Sequence, residues 1–157
     1  AYGPGSERSE VEVEEFWREL TECVNRVGIS GYVVVLGDLN ARVGNEEVEN
    51  VVGKYGVPGR NESGRRLLEQ EMVVGNSIFK KWEENKFTWW RVEGGTVVGR
   101  ALMGYVLIDK KVAGRLVDVH MMRGEGGGVS DHFLVQSKLK VCSKRNVRRV
   151  TERRGCE

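Results

Sequence analysis

Several things are scarce in this sequence, and each scarcity excludes something. Three cysteines occur, Cys23, Cys142 and Cys156. Their number is odd, their spacing is wide and no C-x-x-C is present, which argues against a disulfide framework and against a zinc cluster. A reducing compartment, cytosol or nucleus, is the default for such a chain. No apolar run approaches the length of a membrane span and no secretory leader is visible, so no membrane partner is expected. Proline is rare, at 2 residues, while glycine is frequent, at 21 of 157. That is a turn-rich chain of one domain's length, with enough residues for a core of its own.

Charge is present in both signs but unevenly placed. The net charge is +2, yet residues 138–157 hold eight Lys/Arg against two Glu. The body is therefore mildly acidic and the end basic. From Cys142 onward no periodic apolar face is found, so residues 142–157 are read as a basic, disordered tail following a domain of residues 1–141. The run KRNVRRVTERR has two readings, a nucleic-acid or nuclear-import patch and a solvated terminus. The first residues, AYGPG, read as the end of a strand and its turn, which raises the expectation of further sequence upstream.

Residues 9–27 carry Val13, Phe16, Trp17, Leu20, Val24 and Val27 on one helical face. Ser9 with Glu12 fits a capping box, the acidic first turns suit the helix dipole, and Gly28 is a stop. YVVVL, 32–36, is short, β-branched and apolar at every position, as expected of a strand covered on both faces. Residues 41–60 form a glycine-rich loop, and 61–70 a short helix capped by Asn61. Residues 72–79 read as extended. Strands are expected at 87–90, 96–108, 114–122 and 132–141, with a glycine turn at 124–128. Strands with helices before and between them give an α/β class with sheets packed in layers.

Three apparent motifs carry no chemistry. GRNESGRR has arginine where a phosphate loop needs Lys-Ser/Thr. GEGGG lacks the full dinucleotide pattern. Ser130, Asp131 and His132 are adjacent, and adjacent residues cannot face one another as a hydrolytic triad.

The polar residues at two strand ends are more informative. GDLN, 37–40, follows YVVVL, and SDH, 130–132, precedes the last strand. Alternation along an extended segment puts Asp38 and Asn40 on one side. If the two strands are neighbours, Asp38, Asn40, Asp131 and His132 converge. Such a set suits phosphate-ester hydrolysis: Asp131 for a hard cation such as Mg²⁺, Asp38 to orient and deprotonate water, Asn40 and His132 to stabilise charge on the phosphate. The competing reading is an Asx turn at a strand end.

These segments, in the order AYGPG, VVVLGDLNARVG, NESGRRLLE, GNSIF, FTWW, ALMGYVLI and VSDHFLV, resemble the endonuclease/exonuclease/phosphatase superfamily. The likeness spans residues 1–141 and is greatest to retrotransposon-type, abasic-site endonuclease-like proteins of the craniofacial development protein 2-like group. The resemblance implies a partial four-layered α/β sandwich, two packed mixed sheets flanked by helices, truncated at its N-terminus. It implies a Mg- or Mn-dependent phosphodiesterase of DNA. Tyr2 then matches a phosphate-contacting tyrosine and Asp38 the water-activating residue. Asn40 matches a phosphate-binding amide, Asp131 a metal carboxylate, and His132 the imidazole on the scissile phosphate. Asn76, Thr88 and Trp89 match positions near the site, Asn76 and Trp89 on the substrate side. For Trp89 and Trp90 core and rim packing competes with base stacking.

The chain also departs from the family pattern. An asparagine and a metal-binding glutamate are expected upstream of Ala1. Gly104 stands where the family carries the aspartate that pairs with the histidine matched by His132. The segment LLEQEMVV is shortened, leaving a helix too short to hold without packing. The implied protein is a nuclease fragment, weak or inactive as this chain. The alternative is a non-catalytic remnant that binds DNA, or a protein partner covering an exposed sheet face. A phosphorylated small molecule or lipid head group as substrate is a third reading.

Overall fold

The computed structural model describes residues 1–5, 7–29, 31–122 and 131–141. The basic tail from 142, the glycine turn at 124–128 and Ser130 lie outside these residues.

The first helix, α1 (Glu10–Gly28), forms as expected. The Ser9 hydroxyl accepts from the Glu12 amide, and the Glu12 carboxylate accepts from the Ser9 amide at 3.0 Å. That backbone hydrogen bond is the main reason Glu12 is held below the ordinary carboxylate range. Val13, Phe16, Leu20 and Val24 turn inward around Trp17. They pack on one face of a three-stranded antiparallel sheet made of β1 (Val34–Asp38), β5 (Gly104–Ile108) and β2 (Val73–Val74), with β5 in the middle.

Alternation along β5 divides the core. Tyr105 and Leu107 belong to the cluster under α1, whereas Val106 and Ile108 belong to a second cluster on the opposite face. That second face is covered by a hairpin of β6 (Leu116–Met122) and β7 (Leu134–Leu139), through Leu116 and Val119. The result is helix, sheet and second sheet in layers, which bears out the α/β class. The pairings between named strands are antiparallel; parallel pairing occurs at one bridge, Tyr2 to Asp38.

Three expectations are corrected. The run 96–108 is two strands, not one: β4 (Thr96–Ala101) pairs with β3 (Trp89–Glu93), and β5 pairs with β1. Thr88 makes the break, its hydroxyl accepting from the amides of both Met103 (2.9 Å) and Gly104 (2.8 Å). Between β3 and β4, Gly94 and Gly95 both have positive φ, 57° and 80°, as a two-residue hairpin loop of this kind requires. The extended reading of 72–79 also fails after Val74, where a 3-10 turn, Gly75–Ser77, begins. The turn brings Gly75 so close to β5 and β6 that a Cβ would lie 2.8 Å from Leu116 and 3.0 Å from the Val106 carbonyl. It also lets the Asn76 side chain replace a strand: its amide donates to the Gly104 carbonyl (3.1 Å) and accepts from the Val106 amide (2.9 Å), satisfying the edge of β5 that β2 leaves unpaired.

The third correction concerns YVVVL. The strand starts two residues later than expected, and it is covered on one face only. Val34 and Leu36 share a face with their partners Ile108 and Val106. The β6–β7 hairpin buries those partners and leaves Leu36 54% exposed. Leu36 and Val34 are thus exposed apolar side chains on this face.

The loop 41–60 is longer on core than its composition suggests: Ala41, Val43, Val51 and Val52 are all buried. α2 (Glu62–Glu69) follows, capped by Asn61, whose side-chain oxygen accepts from both Gly64 and Arg42 amides at 2.8 Å. Short as it is, α2 holds because Leu67 is fully buried.

Candidate functional site

β1 ends at Asp38, directly across from Gly104 at the start of β5. The chain then turns. Asp38 Oδ1 accepts from the Asn40 amide at 2.9 Å, an Asx turn, and Asn40 takes a left-handed conformation with φ 47°. Alternation stops there, so Asn40 does not share the outlook of Asp38. Its side-chain amide donates to the Gly3 carbonyl at 2.8 Å and faces a separate hollow beside α2. The turn reading of GDLN holds through one oxygen of Asp38, and the other oxygen is left facing His132.

The second oxygen faces the site. Asp38 Oδ2 lies 3.5 Å from His132 Nε2, and Asp131 Oδ1 lies 3.8 Å from the same nitrogen. Segment 131–133 is held in place by Thr88 and the start of β3. The Trp90 amide donates to the Asp131 carbonyl, the Phe133 amide donates to the Thr88 carbonyl, and Trp89 bridges to His132. The Trp89 indole N–H donates to Asp131 Oδ2 at 2.6 Å. Its ring packs against Gly99, 3.3 Å from where a Cβ would stand. Trp90 meets Phe133 edge-on at 6.0 Å between ring centres. The tryptophans thus order the site from behind, in the manner of core and rim packing.

Asp38, His132 and Phe133 border a pocket of about 360 Å³. Asp38, Thr88, Gly104 and His132 form its polar end, and Leu36, Val106 and Leu134 its apolar side. Tyr2 stands at the mouth, 76% exposed, on the face of Asp38. Beneath lies the phenol of Tyr105, 3.0 Å from the Ala41 carbonyl. Burial, chiefly, and the Asp38 charge push this phenol well above its usual range, so it stays protonated.

The structure therefore brings together Tyr2, Asp38, Asp131 and His132, with Trp89 bonded to Asp131. It sets Asn40 and Asn76 apart, both with side-chain amides committed to backbone carbonyls. Thr88 is buried and ties β5 to segment 131–133, its hydroxyl accepting from the start of β5 and its carbonyl from Phe133. The resemblance already matches Thr88 to a position near the site; its role in holding two segments together was not legible. Gly104 leaves space against Thr88, with 3.4 Å from a Cβ to the nearest side-chain atoms.

Among the described residues, no three of His, Cys, Asp and Glu gather as a metal cluster. Mg²⁺ takes one or two protein carboxylates and completes its shell with water and phosphate oxygens. Asp131, 62% exposed, fits as one such ligand, though one oxygen already holds Trp89.

No family model matches the chain. It is 26% identical over 144 residues to craniofacial development protein 2 of Bos taurus, covering 89% of this chain and 24% of the relative. The Tragulus javanicus protein of the same name is 25% identical over the same span. The chain thus spans about a quarter of the length of these relatives. Among solved structures, the 3′ phosphatase NExo from Neisseria, bound to a product DNA hairpin, superposes with a TM-score of 0.55 at 18% identity, over 82% of this chain and 53% of that one. Together these bear out the resemblance to the endonuclease/exonuclease/phosphatase superfamily, whose α/β fold this chain carries.

Proposed function

We propose that this chain is part of a DNA-directed phosphodiesterase domain of the abasic-site and non-LTR retrotransposon endonuclease type, and that by itself it is weak or inactive as a nuclease. The observation that carries this reading is the approach of Asp38 Oδ2 to His132 Nε2, 3.5 Å, at the polar end of the pocket. A carboxylate and an imidazole so placed are the pair that water activation and phosphate charge stabilisation call for. Asp131 would take Mg²⁺ or Mn²⁺, which when bound supplies positive charge beside the phosphate. Tyr2 would reach the phosphate from the pocket mouth. Asn40, Asn76 and Trp89 act here through structure: the first closes the strand end, the second props β5, the third fixes Asp131.

One feature supports weak activity: Gly104 offers no carboxylate to His132, and the carboxylate nearest the imidazole is Asp38, the group needed for water. A likeness to a DNA-bound enzyme favours DNA as the ligand over a small phosphorylated molecule. The alternative, a non-catalytic DNA- or protein-binding remnant, is favoured by the same glycine. The expected location is the nucleus or cytoplasm; no described helix is long and apolar enough to cross a membrane.

The test uses the purified chain, a duplex with one abasic site, and Mg²⁺ or Mn²⁺. Salt-dependent binding with slow or no nicking is expected. Efficient cleavage abolished by Asp38→Ala would overturn the weak-enzyme reading, and no binding at low salt would overturn the DNA reading.

A further inference from the structure

Asp131 gives its two oxygens different neighbours. The Trp89 indole N–H donates to Oδ2 at 2.6 Å, while Oδ1 lies 3.8 Å from His132 Nε2. The indole is itself held from two sides. The Trp89 backbone bridges to His132 and pairs with Ala101 of β4. Its ring lies over Gly99 of β4, where a Cβ would come within 3.3 Å of Cζ3 and 3.5 Å of Cη2. A larger residue at 99 would push the ring, and the N–H with it. The Asp131 side chain is 62% exposed, so the indole bond is the chief restraint on how its carboxylate turns.

We propose that Trp89 selects the cation that Asp131 takes, by holding Oδ2 itself and leaving Oδ1 alone for the ion. The proposal rests on the reading of Asp131 as a metal carboxylate. Divalent ions differ in what they ask of a carboxylate. Ca²⁺ gathers about six to eight oxygens in flexible geometry and takes carboxylates by one oxygen or by both. Mg²⁺ demands a near-octahedral shell, keeps several waters, and is bound through one or two carboxylates. An indole bond on Oδ2 leaves the one-oxygen contact intact. It denies Ca²⁺ the two-oxygen grip unless the bond breaks. A hydrogen bond to a charged group corresponds to a factor of roughly 10 or more in a binding constant. Trp89 therefore discriminates against the larger ion, and Gly99, two strands' width from the ion, makes room for the ring that does so.

The whole chain is titrated with MgCl₂ and, separately, with CaCl₂, and the His132 amide is followed by NMR. The ratio of the two affinities is the readout, because a general loss of packing would lower both together. Trp89→Phe keeps a ring over Gly99 but removes the N–H. It should shift the ratio toward Ca²⁺ by about 10-fold. Gly99→Val displaces the ring without altering Asp131 and should shift the ratio the same way. Asp131→Asn should abolish the response to both ions. In the unaltered chain the Trp89 indole proton should stay protected from exchange as Mg²⁺ binds, so the test survives a poorly folded variant. An unchanged ratio in either variant, or loss of indole protection on Mg²⁺ binding, would overturn the proposal while leaving Asp131 a ligand. No response at His132 to either ion up to ~50 mM, or a response that survives Asp131→Asn, would overturn the reading of Asp131 and the proposal with it.

Discussion

Asp38 divides its carboxylate between two tasks: Oδ1 accepts from the Asn40 amide at 2.9 Å, and Oδ2 lies 3.5 Å from His132 Nε2. The first contact shapes the strand end and the second faces the candidate site. The two can be separated by substitution.

Asp38→Asn keeps an oxygen that can accept from Asn40 but removes the charge facing His132. Asp38→Ala removes both. The alanine variant should be less stable than the asparagine variant by about 1 kcal/mol, the worth of one turn hydrogen bond. Urea denaturation of the two measures the difference. Equal stability would mean that the turn does not depend on Asp38.

Asn76→Ala should be costly, by about 2–3 kcal/mol, because it leaves the Val106 amide and the Gly104 carbonyl buried without their partner. Asn76→Asp should also destabilise, since a carboxylate cannot donate to the Gly104 carbonyl. A residue serving only substrate would tolerate both, so thermal melting decides between the two roles.

Gly104→Asp adds a carboxylate on the face of Asp38 and His132, across the ladder from Asp38. Like charges directly opposite repel, and the fold should lose up to about 1 kcal/mol at neutral pH. If the missing carboxylate limits the site, nicking of an abasic duplex in Mg²⁺ should rise by at least ~10-fold despite that loss. A stable variant with no gain would place the limit elsewhere, in the metal ligands.

Asp118 lies away from the site, bonded to Lys81 and, at 3.0 Å, to His120 Nδ1. Burial works to raise its carboxyl, but those two hydrogen bonds and the charge of Lys81 hold it below the ordinary range. A carboxylate lowered on folding contributes stability that is full above its unfolded value, about 4. The contribution is lost as pH falls through the lower folded value. Lys81→Met should therefore lower stability at pH 6 and make little difference near pH 2. Urea midpoints across that range give the comparison, and a loss equal at both ends would show that packing, not charge, is the cause.

Asn61→Ala should cost more than an ordinary helix cap, about 2 kcal/mol where a cap alone is worth about 1. Its side chain accepts from Gly64 and Arg42 and donates to the Asn40 carbonyl at 3.0 Å. It thus fixes the chain beyond Asp38 as well as α2. Hydrogen exchange in residues 40–43 should rise together with that of α2.

Much of this was legible locally. The capping box at Ser9, the face of α1, the Asn61 cap and the Asx turn at Asp38 are decided within a few residues, by hydrogen bonds that the nearest backbone supplies. The polar ends GDLN and SDH stood out for the same reason: polarity at the tip of an apolar strand needs a partner, and here Asp38 has a turn amide on one oxygen and His132 near the other. What the sequence could not fix depends on partners far along the chain. Whether 96–108 is one strand or two was settled by the Thr88 hydroxyl. Whether Asn76 is a site residue was settled by the unpaired edge of β5. Whether Leu36 is buried was settled by how far the β6–β7 hairpin reaches over the sheet. Residues within one turn or ladder step read each other through the covalent chain, whereas those tens of residues apart meet only when the layers pack. The pairing of Asp38 with His132 is of the second kind, so its existence was an expectation of the sequence and its geometry a decision of the fold.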